Sequence, residues 1–120
     1  MSKTRSNPDF LNGVPELVVL KLLSRQPMYG YELVRAIEAE SESSLAFAEG
    51  CIYPVLHKLE KDELVISSRE NVGGRERVVY RVTKPGTSRL AHATAAWQQV
   101  VAGVNKILAG GEYGAQGAAG

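Results

Sequence analysis

Apolar positions in the first half of the chain recur at helical spacing. Between Val14 and Ser24 they stand at 14, 17, 18, 20, 22 and 23 and cover most of a helix circumference. This predicts a largely buried first helix, with Pro15 in its first turn, where a missing N–H costs nothing. Pro27 ends it. Gly30, Leu33, Val34 and Ile37 then recur at three- and four-residue steps with Glu32, Arg35 and Glu38 opposite, an amphipathic second helix to about Glu40 followed by a turn over Ser41–Ser44. A third helix must begin close to Gly50, because Pro54 is tolerated only in a first turn, and it runs to about Asp62. Its apolar face is Ile52, Val55, Leu56 and Leu59, while Gly50, Tyr53, Pro54, His57 and Lys61 form a second stripe turned outward.

The period then changes from helix to strand. Leu64–Arg69 and Arg77–Thr83 are β-rich runs, the second alternating Val78, Tyr80 and Val82 against Arg77, Val79 and Arg81, and Gly73-Gly74 between them marks a hairpin. Thr83 caps a fourth helix in which Leu90, Thr94, Trp97, Val101, Val104 and Leu108 follow at steps of 4, 3, 4, 3 and 4. Such a repeat on a helix of roughly 25 residues, about 37 Å long, presents more apolar surface than one small domain covers, so a partner helix is implied. Gly103 weakens this helix by about 1 kcal/mol relative to alanine, and the glycine-rich residues after it read as a frayed tail. The expected organisation is a flexible N-terminal arm over 1–9, one folded domain over 10–83, a dimerisation helix over 84–109 and a disordered tail over 110–120.

Length and charge narrow the class. The chain has 120 residues, 44% of them apolar, enough for one domain with a real core. Fourteen basic and thirteen acidic side chains leave a net charge of +1, so an anionic partner must be met by local clustering of charge. The single cysteine, Cys51, excludes an intramolecular disulfide and fits a reducing cytoplasm, and no apolar run reads as a membrane span or a signal-peptide core. Cys51 and His57 differ by about 600° around their helix, so they do not form a nucleophile and base, and neither pairs with His92 at chelating spacing. Nothing points to an enzyme, a metal or a cofactor.

A mainly α chain with a small β-hairpin, ordered helix, helix, helix, glycine-tipped hairpin, is the order of a winged helix-turn-helix, whose third helix enters the DNA major groove. The blocks Tyr29-Gly30-Tyr31-Glu32-Leu33, Ile52-Tyr53-Pro54-Val55-Leu56-His57-Lys58-Leu59-Glu60, Gly74-Arg75 and Tyr80-Arg81-Val82-Thr83, with Trp97, make the chain similar to PadR-type regulators over about residues 10–109. The resemblance implies a winged-helix fold, a homodimer through the C-terminal helix and binding to inverted-repeat operators in double-stranded DNA. Because only a single helix follows the wing, the chain resembles the short branch of the family. The sense of regulation, repression, also comes from the resemblance.

Tyr53, His57, Lys58 and Lys61 are the third helix's candidates for phosphate or base contacts, the alternative being a solvated face. Glu60, Asp62 and Glu63 crowd the end of that helix, so its N-terminal half approaches DNA more closely. Arg75 and Arg77 are the candidates from the wing, Lys3 and Arg5 from the arm, whereas Arg69 and Arg81 are in reach of Glu70 or Glu76. Trp97 is either a packing knob of the dimer seam or the wall of a cavity. In short-branch relatives the corresponding tryptophan lines a pore between subunits and stacks on flat aromatic ligands, which implies an effector site of Trp97 and Ala93 with Phe10, Leu11 and Val14 opposite. A winged-helix module that binds protein instead of DNA is the alternative, because fold does not fix function.

Overall fold

The computed structural model describes the backbone of residues 6–119 and the side chains of residues 13–110. Its elements are α1 (Ser6–Arg25), β1 (Met28–Tyr29), α2 (Gly30–Glu40), α3 (Glu49–Lys61), β2 (Val65–Val72), β3 (Arg75–Val82) and α4 (Lys84–Ala119). The helices α2 and α3 begin and end within a residue of their expected limits, although Pro54 is the sixth residue of α3 and stands in its second turn, not its first. Two ends differ. α1 begins at Ser6, inside the expected arm, because Pro8 is a first-turn proline in this longer helix and Pro15 lies in its interior. α4 continues through the expected tail to Ala119, since glycine lowers helix propensity without blocking a backbone hydrogen bond as proline does.

β1 has no counterpart in the sequence pattern. Its two residues pair antiparallel with β3, Met28 opposite Tyr80 and Tyr29 opposite Val79, and the sheet order is β1-β3-β2. β2 and β3 form the hairpin in unbroken register from Val65 opposite Val82 to Val72 opposite Arg75. Its two-residue turn needs positive φ twice, supplied by Gly73 at 60° and Gly74 at 85°. The Gly74 N–H also donates to Asn71 Oδ1 at 3.1 Å, which stiffens the tip.

The core is built from Val19, Leu20, Leu22 and Leu23 of α1, Leu33 and Ile37 of α2, Ile52, Leu56 and Leu59 of α3, and Met28, Leu64, Val65 and Tyr80 from the sheet side. Full burial of each leucine or isoleucine contributes about 1.5–3 kcal/mol. Both helices of the helix-turn-helix end alike: Ser43 N donates to Glu38 O at 2.8 Å and Leu64 N to Leu59 O at 2.8 Å, closing a six-to-one loop around a left-handed residue. That residue is Glu42 (φ 53°) after α2 and Glu63 (φ 63°) after α3, so neither stop carries the usual glycine. Thr83 anchors α4 as expected: its Oγ1 accepts from Gly86 N at 3.1 Å and donates to Glu63 O at 2.8 Å.

Two compact units result, 1–90 and 91–120. The first turns of α4 belong to the first unit, where Arg89 Nη1 meets Glu16 Oε2 at 2.8 Å and Leu90 packs against the core.

Candidate nucleic-acid interface

α3 presents one outward strip. Its core side, Ile52, Leu56 and Leu59, is buried, and the opposite side exposes Gly50, Pro54, His57, Lys58 and Lys61. His57 and Lys61, one turn apart, are the donors of this strip, and neither has an ion-pair partner among the described residues. Lys58 is at its flank and reaches Asp62 Oδ2 at 3.4 Å, which offsets some of its charge. Tyr53 is half-buried, its ring across Gly30 of α2, and is the packing edge of the strip. The acidic end of the helix is also partly engaged, because the Ser67 hydroxyl donates to Glu60 Oε2 at 2.7 Å. Burial, with Glu60 and Tyr53 nearby, pushes the Tyr80 hydroxyl above the usual tyrosine range.

The wing sorts its arginines. Arg81 Nη1 meets Glu70 Oε2 at 2.5 Å, and this hydrogen bond, with one from Ser68, holds the Glu70 carboxyl below the usual carboxylate range. Arg69 reaches Glu76 at 3.4 Å. Arg75, beside the Gly73-Gly74 turn, is exposed and without an ion pair among the described residues. Arg77 is half-buried, with its guanidinium carbon 4.5 Å from the centre of the Tyr29 ring. Arg75 and Arg77 are equivalent candidates by sequence. The structure separates them, since Arg77 lies back toward β1 and Arg75 stands at the tip.

On α4, Ala93, Thr94, Trp97 and Val101 are half-buried, and Val100, Val104, Ile107 and Leu108 are exposed, Ile107 most of all at 76%. Val100 and Ile107 extend the apolar stripe beyond the repeat read from the sequence. Leu90, first member of that repeat, is half-buried and packs against the core. Val14 is half-buried on α1, while the Phe10 and Leu11 side chains and the Lys3 and Arg5 positions lie outside the described residues. Cys51 is a free, half-buried thiol. Among the described residues no three His, Cys, Asp or Glu side chains gather closely enough to hold a metal, and no helix is long and apolar enough to cross a membrane.

Residues 19–92 match the family model described as the Transcriptional regulator PadR-like family. This chain belongs to that family. The PadR-like match takes in α2, α3 and the wing. Similar proteins include transcriptional regulator Rv3488 of Mycobacterium tuberculosis, 29% identical over 92 residues, with 77% of this chain and 83% of that protein covered. Transcriptional regulator YqjI of Escherichia coli is 39% identical over 69 residues, 58% of this chain but only 33% of that longer protein. The crystal structure of a PadR-like transcriptional regulator from Bacillus cereus matches with a TM-score of 0.71 at 30% identity, covering 83% of this chain and 96% of that one. The PadR-like chain therefore has a winged-helix fold and the general role of a transcriptional regulator, for which DNA is the partner the family implies. The family is one of regulators and not of enzymes.

Proposed function

We propose that this PadR-like regulator acts as a homodimeric repressor that binds an inverted-repeat operator in double-stranded DNA and is released by a planar aromatic effector. The observation that carries the reading is the sorting of charge on its winged helix. Arg69, Arg81 and Lys58 face carboxylates, while His57 and Lys61 on α3 and Arg75 at the wing tip keep their donors directed to solvent. Free donors on a helix strip and at a glycine turn suit base edges and phosphates in adjoining grooves.

Dimerisation through α4 is supported by the exposed stripe of Val100, Val104, Ile107 and Leu108. A two-fold related pair of α3 helices then addresses the two halves of a palindromic site. The effector reading rests on Trp97, half-buried among Ala93, Thr94 and Val101 on the same helix. To act, the ligand must prefer the dimer geometry in which the two reading helices are wrongly spaced, because equal affinity for both geometries shifts nothing.

Selection of duplexes from a random library, followed by gel shift on the selected site and on the region upstream of the protein's own gene, tests the DNA reading. An enriched two-fold symmetric site is expected; failure to enrich any sequence favours the protein-binding use of the fold. Light scattering tests the dimer, which removal of residues 91–120 should abolish. Flavin-like, phenolic and cationic dyes test the effector site, since Trp97 is the chain's only indole and its emission reports binding directly. Unchanged emission with every dye would make Trp97 a packing knob.

A further inference from the structure

We propose that Arg77 is a positioning residue: stacked on the Tyr29 ring, its guanidinium ties the base of the wing to the start of α2 and sets the wing's pitch relative to α3. The inference rests on the DNA-binding reading above. It goes further by separating a residue that aims the surface from those that touch the nucleic acid.

The sheet register brings the pair together. Tyr29 stands directly opposite Val79, and Arg77, two residues along β3, projects from the same face, so the two are diagonal cross-strand neighbours within reach of a long side chain. On its other side Arg77 faces Glu70 across the ladder. That carboxylate is already engaged, by Arg81 at 2.5 Å and by the Ser68 hydroxyl at 2.7 Å. One acid is thus shared out among its neighbours without Arg77, which turns to the aromatic face instead. The guanidinium carbon is 4.5 Å from the ring centre, and Nε is buried with no hydrogen-bond partner among the described residues. A partly desolvated cation without a carboxylate is stabilised there by the negative face of the ring.

The ring itself is fixed to α2. Tyr29 is the N-cap position of that helix, and its backbone N–H donates to Glu32 Oε1 at 3.2 Å. Backbone pairing between β1 and β3 extends over only two residue pairs, so a side-chain tie at this point adds materially to the joint. Arg75, two residues farther toward the turn, is exposed, and its position relative to His57 and Lys61 depends on the angle at which the hairpin leaves this joint.

The test uses the full chain and a duplex selected from a random library by the parent protein. Arg77→Gln and Tyr29→Leu should each weaken binding measurably, by up to about thirtyfold, the most that losing one desolvated cation–ring contact within the protein can cost the binding-competent form. The double variant should bind no more weakly than the weaker single variant, and the dependence of affinity on salt should keep the parent slope. Tyr29→Phe keeps the ring and should bind like the parent, while Arg77→Lys, which keeps the charge without the planar stack, should fall between. In the free protein, ring-current shifts of the Arg77 side-chain resonances should persist in Tyr29→Phe and vanish in Tyr29→Leu, which separates loss of the clamp from loss of fold. If Arg77→Gln instead lowers the salt slope by about 1 and its effect adds fully to that of Tyr29→Leu, Arg77 is a phosphate contact and the positioning role is overturned. Failure to select any duplex would sink the DNA-binding reading itself, an outcome distinct from additivity between the two variants.

Discussion

The ring of Tyr53 lies directly over Gly30, so close that a β-carbon added at position 30 would stand 2.5 Å from Cε1, Cζ and Oη of the tyrosine. α2 and α3 approach each other through this contact, and the angle between them is what makes the pair a helix-turn-helix. Gly30→Ala should therefore destabilise the protein by about 1–3 kcal/mol, although alanine is the better helix former. In a Tyr53→Ala background the same change should cost far less. Urea unfolding of the four proteins measures the coupling, and additivity would mean that the ring yields freely.

The same contact separates two kinds of residue on α3. Tyr53→Ala should lower the thermal midpoint as well as DNA affinity, because it empties the α2–α3 junction. His57→Ala and Lys61→Ala should leave the midpoint within about 3 °C and weaken DNA binding, as expected for exposed side chains without ion-pair partners among the described residues. Thermal scans beside anisotropy titrations make the comparison.

At the wing tip, Arg75→Ala should weaken binding to selected and unrelated duplexes alike and reduce the slope of log affinity against log salt by about 1, since the interaction lost is with phosphate. A loss confined to the selected duplex would reassign Arg75 to base reading.

Glu63 occupies the left-handed position that closes α3 at φ 63°. Glu63→Gly should stabilise the protein by about 0.5–1 kcal/mol, the relief of Cβ crowding less the greater chain entropy that glycine surrenders. A rise in the urea midpoint without a change in slope is the expected record.

The Glu70 carboxyl is held low by the hydrogen bonds from Arg81 and Ser68. A depressed acid supports the fold above its ordinary titration range, and that support is lost as the pH falls through its lowered folded value. A carboxyl-carbon NMR titration should place Glu70 below an ordinary glutamate, with Arg81→Gln returning it toward the usual range. Since both groups lie at the surface, the effect on global stability should be small, and the visible consequence is loosening of the wing in acid.

Periodicity, with Pro54 and the glycines as punctuation, was enough to locate α2, α3 and the hairpin, because residues such as Leu33 and Ile37, or Ile52, Leu56 and Leu59, repeat at the spacing that one buried face demands. Gly73-Gly74 named its turn for an equally local reason, the positive φ required at both positions. The start of α1 and the course of α4 beyond residue 109 were not legible in this way, since glycines and early prolines alter helix propensity by amounts that the rest of the helix can override. β1 was invisible, having two residues and no period; it exists only because β3 offers it an edge. The division between Arg75 and Arg77 was likewise out of reach. The sequence placed Arg69 and Arg81 within reach of Glu70 and Glu76, as the structure finds them, but left Arg75 and Arg77 alike. Which of these two lies on Tyr29 and which remains at the tip is decided by cross-strand register, which brings together residues such as Tyr29 and Arg77 that lie far apart along the chain. Composition and spacing determine which elements form and which faces they bury, while the free charges of the surface emerge only when the folded chain has paired the others.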